Sequence, residues 1–326
     1  MLVIWALALV VRLANVAAMP LEPGLLLGDD AWLYWENARS LWEHRTFADS
    51  ASSGRMPGYF LLLAGLMGVL GPSFLGVLAV QALIDAVTCV LVGMIGARLS
   101  LSVGLVAGLL AAAWPNLIIV SASVLTDSFF MLPFTAMLYA FVRFLETGSL
   151  RWAGWAGLFL GTAIMVRAAA QYFPLAMLLL VVAIPLWRWR DWRRGGLAGL
   201  VFLTAVALPL APWLHRNVTQ FDTLALTSQG GVHLDVWVLP SIFSITRGLT
   251  MVQALDEIYA RREAYFAGRG LVMDEMNIFV QSRVRTDFFL AQLSGIPPAD
   301  ILKSWGYGMA VNLFAPAIGA DPRVRA

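Results

Sequence analysis

The run YFLLLAGLMGVLG, Tyr59–Gly71, decides how this chain is threaded. It is apolar enough for lipid, yet it is confined between the Pro57-Gly58 pair and the Gly71-Pro72 turn. About 13 residues of helix reach only about 20 Å, short of the roughly 30 Å of a hydrocarbon core. The run is therefore predicted to lie in or dip into the membrane interface without crossing.

Immediately before it stands GDDAWLYWENARSLWEHRTFADSASSGRMPGY, Gly28–Tyr59, a polar stretch in an otherwise lipid-like chain. The chain is 60% hydrophobic and 13% charged, with mean hydropathy +0.77. A soluble domain carries about 25% charged residues, so this is a polytopic membrane protein. Apolar runs at 1–20, 74–97, 101–121, 128–146, 152–168, 170–187 and 196–214 predict about seven spans. Arg12 in the middle of the first run, with no basic start and no small-residue cleavage site, marks a retained helix and not a signal peptide.

The basic residues test this threading, because cytoplasmic loops carry the excess of Lys and Arg. With 59–71 not crossing, Arg98, the Arg143–Arg151 loop and Arg188, Arg190, Arg193 and Arg194 share the side of the N-terminus, the cytoplasm. The expected setting is a bacterial plasma membrane. Asp29, Asp30, Arg55, Asp127, Arg167 and Arg216 then come to one extracytoplasmic face. The predicted organisation is a transmembrane module over 1–215, with an extracytoplasmic catalytic loop at 21–73. A mainly extracytoplasmic mixed and helical region follows over 216–326.

Within the first loop Ala31, Trp35, Ala38 and Trp42 recur at helical spacing, a stripe suited to the headgroup boundary. Asp30 and Tyr34 lie one turn apart on another face. Past the last span, 217–240 reads as irregular or short-strand structure around a Gly230-Gly231 turn. Residues 250–291 read as a helical pair split near Gly268–Gly270, and 301–319 as a possible last membrane-associated helix.

Each of these residues has a plain role as well as a chemical one. Asp29 fits an N-cap and Asp30 a favourable first-turn charge. Sheltered at a membrane surface, Asp30 fits equally a general base acting on a hydroxyl. Asp127 sits at a span boundary, where an ionised group needs a partner, a task or a capping role. Arg167 and Arg216 end spans, where arginines snorkel. Together with Arg55 they offer forks matched to phosphate oxygens. Tyr34, Tyr59 and His233 are candidate lining residues. His44, His215, His233 and the single Cys89 show no metal-ligand spacing, and no nucleotide-binding glycine motif or GxSxG is present. A net charge of +2 gives no sign of a nucleic-acid partner.

Five segments, in order, resemble a known family: DAWLYWENARSL, RMPGYFLLLAGLMGVLG, SVLTDSFF, MVRAAA and APWLHRNVTQFD. They are similar to the motifs of the GT-C superfamily of polytopic glycosyltransferases. The likeness is to the family 39-like branch, which holds protein O-mannosyltransferases and the lipid A aminoarabinose transferase. Met56 and Ala168 stand where that branch has proline, and Asp127 where it often has glutamate. The resemblance implies an all-α GT-C bundle with interfacial helices in its first loop and a polyprenyl-phosphate sugar donor. The acceptor would be a hydroxyl on a lipid, glycan or protein. It implies Asp30 as catalytic acid residue with Asp29 adjacent, Asp127 at the second acidic position, and Arg55, Arg167 and Arg216 toward the donor phosphate. No cofactor is implied, and a divalent cation stays open. The competing readings are a non-catalytic scaffold on the same fold and a lipid or glycan transporter.

Overall fold

The structure, a computed structural model, describes residues 1–28, 30–48 and 52–314. Every regular element among them is helical. In order they are α1 (Leu2–Ala17), α2 (Pro23–Leu26), α3 (Asp30–His44), α4 (Gly58–Leu70), α5 (Phe74–Gly96), α6 (Leu101–Ala113), α7 (Pro115–Ser121) and α8 (Thr126–Thr147). There follow α9 (Leu150–Val166), α10 (Phe173–Trp189), α11 (Trp192–Phe221), α12 (Gln229–His233), α13 (Leu239–Arg247), α14 (Met251–Ala267), α15 (Ile278–Leu293) and α16 (Pro298–Phe314).

Helices occupy all seven predicted span positions, but they are not all straight, full-length spans. Four are long and apolar enough to cross alone: Phe74–Gly96, Thr126–Thr147, Ala168–Trp189 and Trp192–Phe221. The 101–121 run is instead two helices bent by 54°, because Pro115 has no N–H for the preceding turn and so opens a new helix. At 16 and 17 residues α1 and α9 are shorter than a usual span. A second bent pair, Gln229–Arg247 with Met251–Ala267, turns by 119°, and counting each bent pair as one the described residues hold up to six candidate spans.

The chain divides into two compact units. Of the described residues, one comprises 1–28, 30–48, 52 and 56–213, and the other 53–55 and 214–314. In the first, α5 packs on α1, α6 and α8, and α8 on α9. Glycines let these backbones approach, as is usual between membrane helices. A Cβ on Gly104 would lie 2.6 Å from the Gly93 carbonyl oxygen, and one on Gly108 would strike Ile4. The charge order predicted from the basic loops is visible at one end of this unit. There Arg98 Nε donates to Glu146 at 2.6 Å and Arg194 Nε to the Gly148 carbonyl at 2.9 Å. Asp127 and Arg167 pair at the other ends of α8 and α9.

Two local expectations are corrected. The stripe of α3 does not face headgroups: Ala31, Trp35 and Ala38 are buried, Trp35 lies over Phe74 with ring centroids 4.1 Å apart, and Trp42 packs on the same core. A helical apolar stripe fits protein as well as lipid, and here α4 and α5 take it up. In the second unit, 217–240 holds no strand. The last span runs on to Phe221, and α12 continues through a π-helical stretch, Leu234–Val238, into α13. Gly231 makes no turn there. It lies so close to the Ser282 backbone that a Cβ would collide. The pair split near 268–270 is α14 and α15. The last helix ends at Phe314, and the rest of 301–319 lies outside the described residues.

Candidate active site

Five of the predicted residues, Asp30, Tyr34, Tyr59, Asp127 and Arg167, lie in the first unit, Tyr59 among them wholly buried. Asp30 opens α3 with its side chain exposed. One turn later Tyr34 meets Tyr59 edge to face at 5.2 Å and Phe60 at 5.3 Å. Tyr59, in the first turn of α4, is wholly buried. Burial pushes its hydroxyl above the ordinary value, and the nearby Tyr34 and Asp127 push it further. Asp127 therefore stands within electrostatic reach of Tyr59. It lies in the first turn of α8, where a carboxylate suits the helix dipole, and it ion-pairs with Arg167.

Helix ends explain this arrangement. Arg167 follows the last turn of α9 in extended conformation, so its side chain leaves the helix end. α4 begins hard against that end: a Cβ on Gly58 would lie 2.6 Å from the Met165 carbonyl oxygen. Arg167 does not simply snorkel, since Asp127 holds it and its guanidinium lies 5.9 Å from the Phe130 ring.

Arg55, Arg216 and His233 fall in the second unit. Arg216 Nη1 donates to the Ser53 carbonyl at 2.7 Å and to Asn217 Oδ1 at 2.8 Å, and its guanidinium lies 4.6 Å from the Phe221 ring. The Gly54 carbonyl accepts from Ser228 N at 2.8 Å and Thr227 Oγ1 at 2.9 Å. Within this unit the three-residue segment ending in Arg55 is thus clamped on both sides, with Arg55 half-buried. His233 is exposed at the end of α12. Asp29 lies outside the described residues.

Several organising residues were not singled out from the sequence. Buried Asn37 donates to Leu33 O at 2.9 Å and Ser52 Oγ at 3.0 Å and accepts from Ala48 N at 2.9 Å, closing the first loop onto α3. Gln81, wholly buried in α5, accepts from the Tyr59 hydroxyl and donates to the Ser123 carbonyl at 2.8 Å. Asp85, on the same helix, pairs with Arg12 of α1, both side chains fully buried. In the second unit the fully buried Asp235 is held by Arg262 at 3.2 Å and Arg285 at 3.1 Å. A polar residue inside a long apolar run was the available signal for Gln81 and Asp85.

Residues 54–214 match the sequence pattern of the family described as dolichyl-phosphate-mannose-protein mannosyltransferase. The comparison with curated protein sequences finds no match. Among solved structures, the chain is similar to the crystal structure of ArnT from Cupriavidus metallidurans bound to undecaprenyl phosphate, at 16% identity and a TM-score of 0.52. That similarity covers 95% of this chain and 62% of that one, so this chain spans less than two thirds of the length of the protein it matches. The chain is an integral membrane protein that shares the fold of that structure and carries the mannosyltransferase family's sequence pattern over 54–214.

Proposed function

We propose that the chain transfers a sugar from a polyprenyl-phosphate carrier to a hydroxyl acceptor at the extracytoplasmic face of a bacterial plasma membrane. Asp30 accepts the proton of the acceptor hydroxyl, whose oxygen attacks the anomeric carbon as the bond to the carrier phosphate breaks. Arg167, oriented by Asp127, meets the negative charge that grows on the departing phosphate. The matching family's description names a dolichyl-phosphate sugar, and the similar ArnT structure is bound to undecaprenyl phosphate. The resemblance assigns Arg55 to the same phosphate. Arg216, whose Nη1 is spent on the Ser53 carbonyl, is read instead as the residue that fixes the Arg55 segment.

One observation carries the reading. Tyr34, one turn from Asp30 on α3, lies against Tyr59, and Tyr59 stands in the field of the paired Asp127. On this reading the proposed base on α3 and the guanidinium paired with Asp127 both belong to the first unit, which favours their acting together. The test is transfer of radiolabelled sugar from a panel of polyprenyl-phosphate sugars by the protein in lipid, comparing wild type with Asp30→Asn. Transfer lost in the variant, with donor binding and folding kept, supports the reading. Equal transfer by both removes Asp30 as the base, and no transfer by either, with donor bound, points to a scaffold.

A further inference from the structure

We infer that Gln81 is a positioning residue for the Asp127–Arg167 pair, and that its amide sets where α4 and the start of α8 stand relative to each other. The loop between α7 and α8 is the reason such a residue is needed. Ser121, Ala122, Ser123 and Val124 are all buried, although a helix ends and another begins there. Buried backbone carbonyls at such a break require partners. Gln81 reaches them from α5, its Nε2 donating to Ser123 O at 2.8 Å and more distantly to Ser121 O at 3.4 Å.

The other end of the same amide accepts from the Tyr59 hydroxyl. A primary amide is the side chain that serves both sides, because it carries donors and an acceptor on one rigid plane. Tyr59 in turn carries Tyr34 on its ring, one turn from Asp30. The loop that Gln81 holds ends at Leu125, two residues before Asp127. One buried side chain thus ties the helix pair α3 and α4, which bears the proposed base, to the loop that delivers the carboxylate holding Arg167. A span that needed only to be apolar has no use for glutamine at this depth.

The inference rests on the proposed transfer reaction for its consequence and on amide exchange for its independent test. In Gln81→Met and in the isosteric Gln81→Glu, which lacks the two N–H donors, backbone amides of 121–127 should exchange at least about tenfold faster than in wild type. The donor kcat should fall by about 10- to 100-fold while KM stays within about threefold, the signature of misplacement and not of lost binding. In Tyr59→Phe/Gln81→Met the orphaned hydroxyl is gone, so thermal stability should recover toward wild type while 121–127 exchange stays fast. Unchanged exchange in both single variants overturns the inference. So does kcat that returns in the double variant in step with Tm, which is what a purely structural glutamine would give. If wild type transfers no sugar, the function reading fails by itself, and the exchange result still decides the role of Gln81.

Discussion

Asp127 and Arg167 join the N-terminal end of α8 to the C-terminal end of α9, each with roughly two fifths of its side chain exposed. An ion pair so open to water adds little to folding, typically under about 1 kcal/mol. Under the proposed function its task is other than holding the helices together, which the buried faces of α8 and α9 already do.

Asp127→Asn and Arg167→Lys should separate these roles. Both should unfold within a few degrees of wild type. Arg167→Lys, which replaces a planar fork by a point charge, should lower sugar transfer by about 100-fold, the order expected when a single oriented donor is lost. Thermal unfolding and turnover measured on the same preparations check this, and a variant with lost stability but intact turnover would reverse the assignment.

Arg12 and Asp85 present the opposite case. Both side chains are fully buried, and the guanidinium also donates to the Ala112 carbonyl at 3.0 Å and to Cys89 Sγ at 3.2 Å. Arg12→Met leaves a carboxylate without its partner and should destabilise the first unit by about 3–5 kcal/mol. Arg12→Met/Asp85→Leu should recover most of that loss. Unfolding in detergent across the four-member cycle measures the coupling.

The second unit has its own buried carboxylate. Asp235 is inaccessible and shared by Arg262 and Arg285. Asp235→Asn leaves two guanidinium groups facing an amide and should cost about 3 kcal/mol. The loss should appear as faster hydrogen exchange in α14 and α15, with the exchange of α5 and α8 unchanged.

Tyr59 gives the fold an alkaline limit. Its hydroxyl is held above the ordinary 10.0, so the folded chain keeps this proton at a pH where the unfolded chain has released it. Its contribution is full below about pH 10 and is lost as pH rises through the folded value. Wild type should therefore lose thermal stability above about pH 10 more steeply than Tyr59→Phe.

Much of this architecture is legible in the residues themselves. Apolar length alone locates the helices at 74–97, 128–146 and 196–214, and the shortness of Tyr59–Gly71 anticipates α4. The basic loops foretell that Arg98 and the Arg143–Arg151 turn lie at one end, where Arg98 indeed meets Glu146. What the sequence hides is which partner each side chain finds. Trp35 has the periodicity of a lipid-facing residue and instead covers Phe74. Arg12 and Asp85 are 73 positions apart, so neither announces the other. Gly230-Gly231 carries the signature of a turn, but tight packing on Ser282 also demands glycine, and here packing prevails. For the candidate site, Asp127 and Arg167 are legible as charges at span ends, and Asp30 and Tyr34 as residues one turn apart in the first loop. The buried amide of Gln81 shows only as a polar residue in an apolar run, because the backbone carbonyls it serves have no sequence signature.

The Arg12–Asp85 pair also bears on how the protein is made. Synthesis delivers Arg12 to the bilayer 73 residues before its carboxylate exists. A guanidinium near the middle of a helix disfavours insertion by about 2.5–3.5 kcal/mol, so α1 is a reluctant span until α5 emerges. The Asp85 carboxylate offsets that cost once α5 is in place, so the two helices are expected to be comfortable in lipid together and not singly.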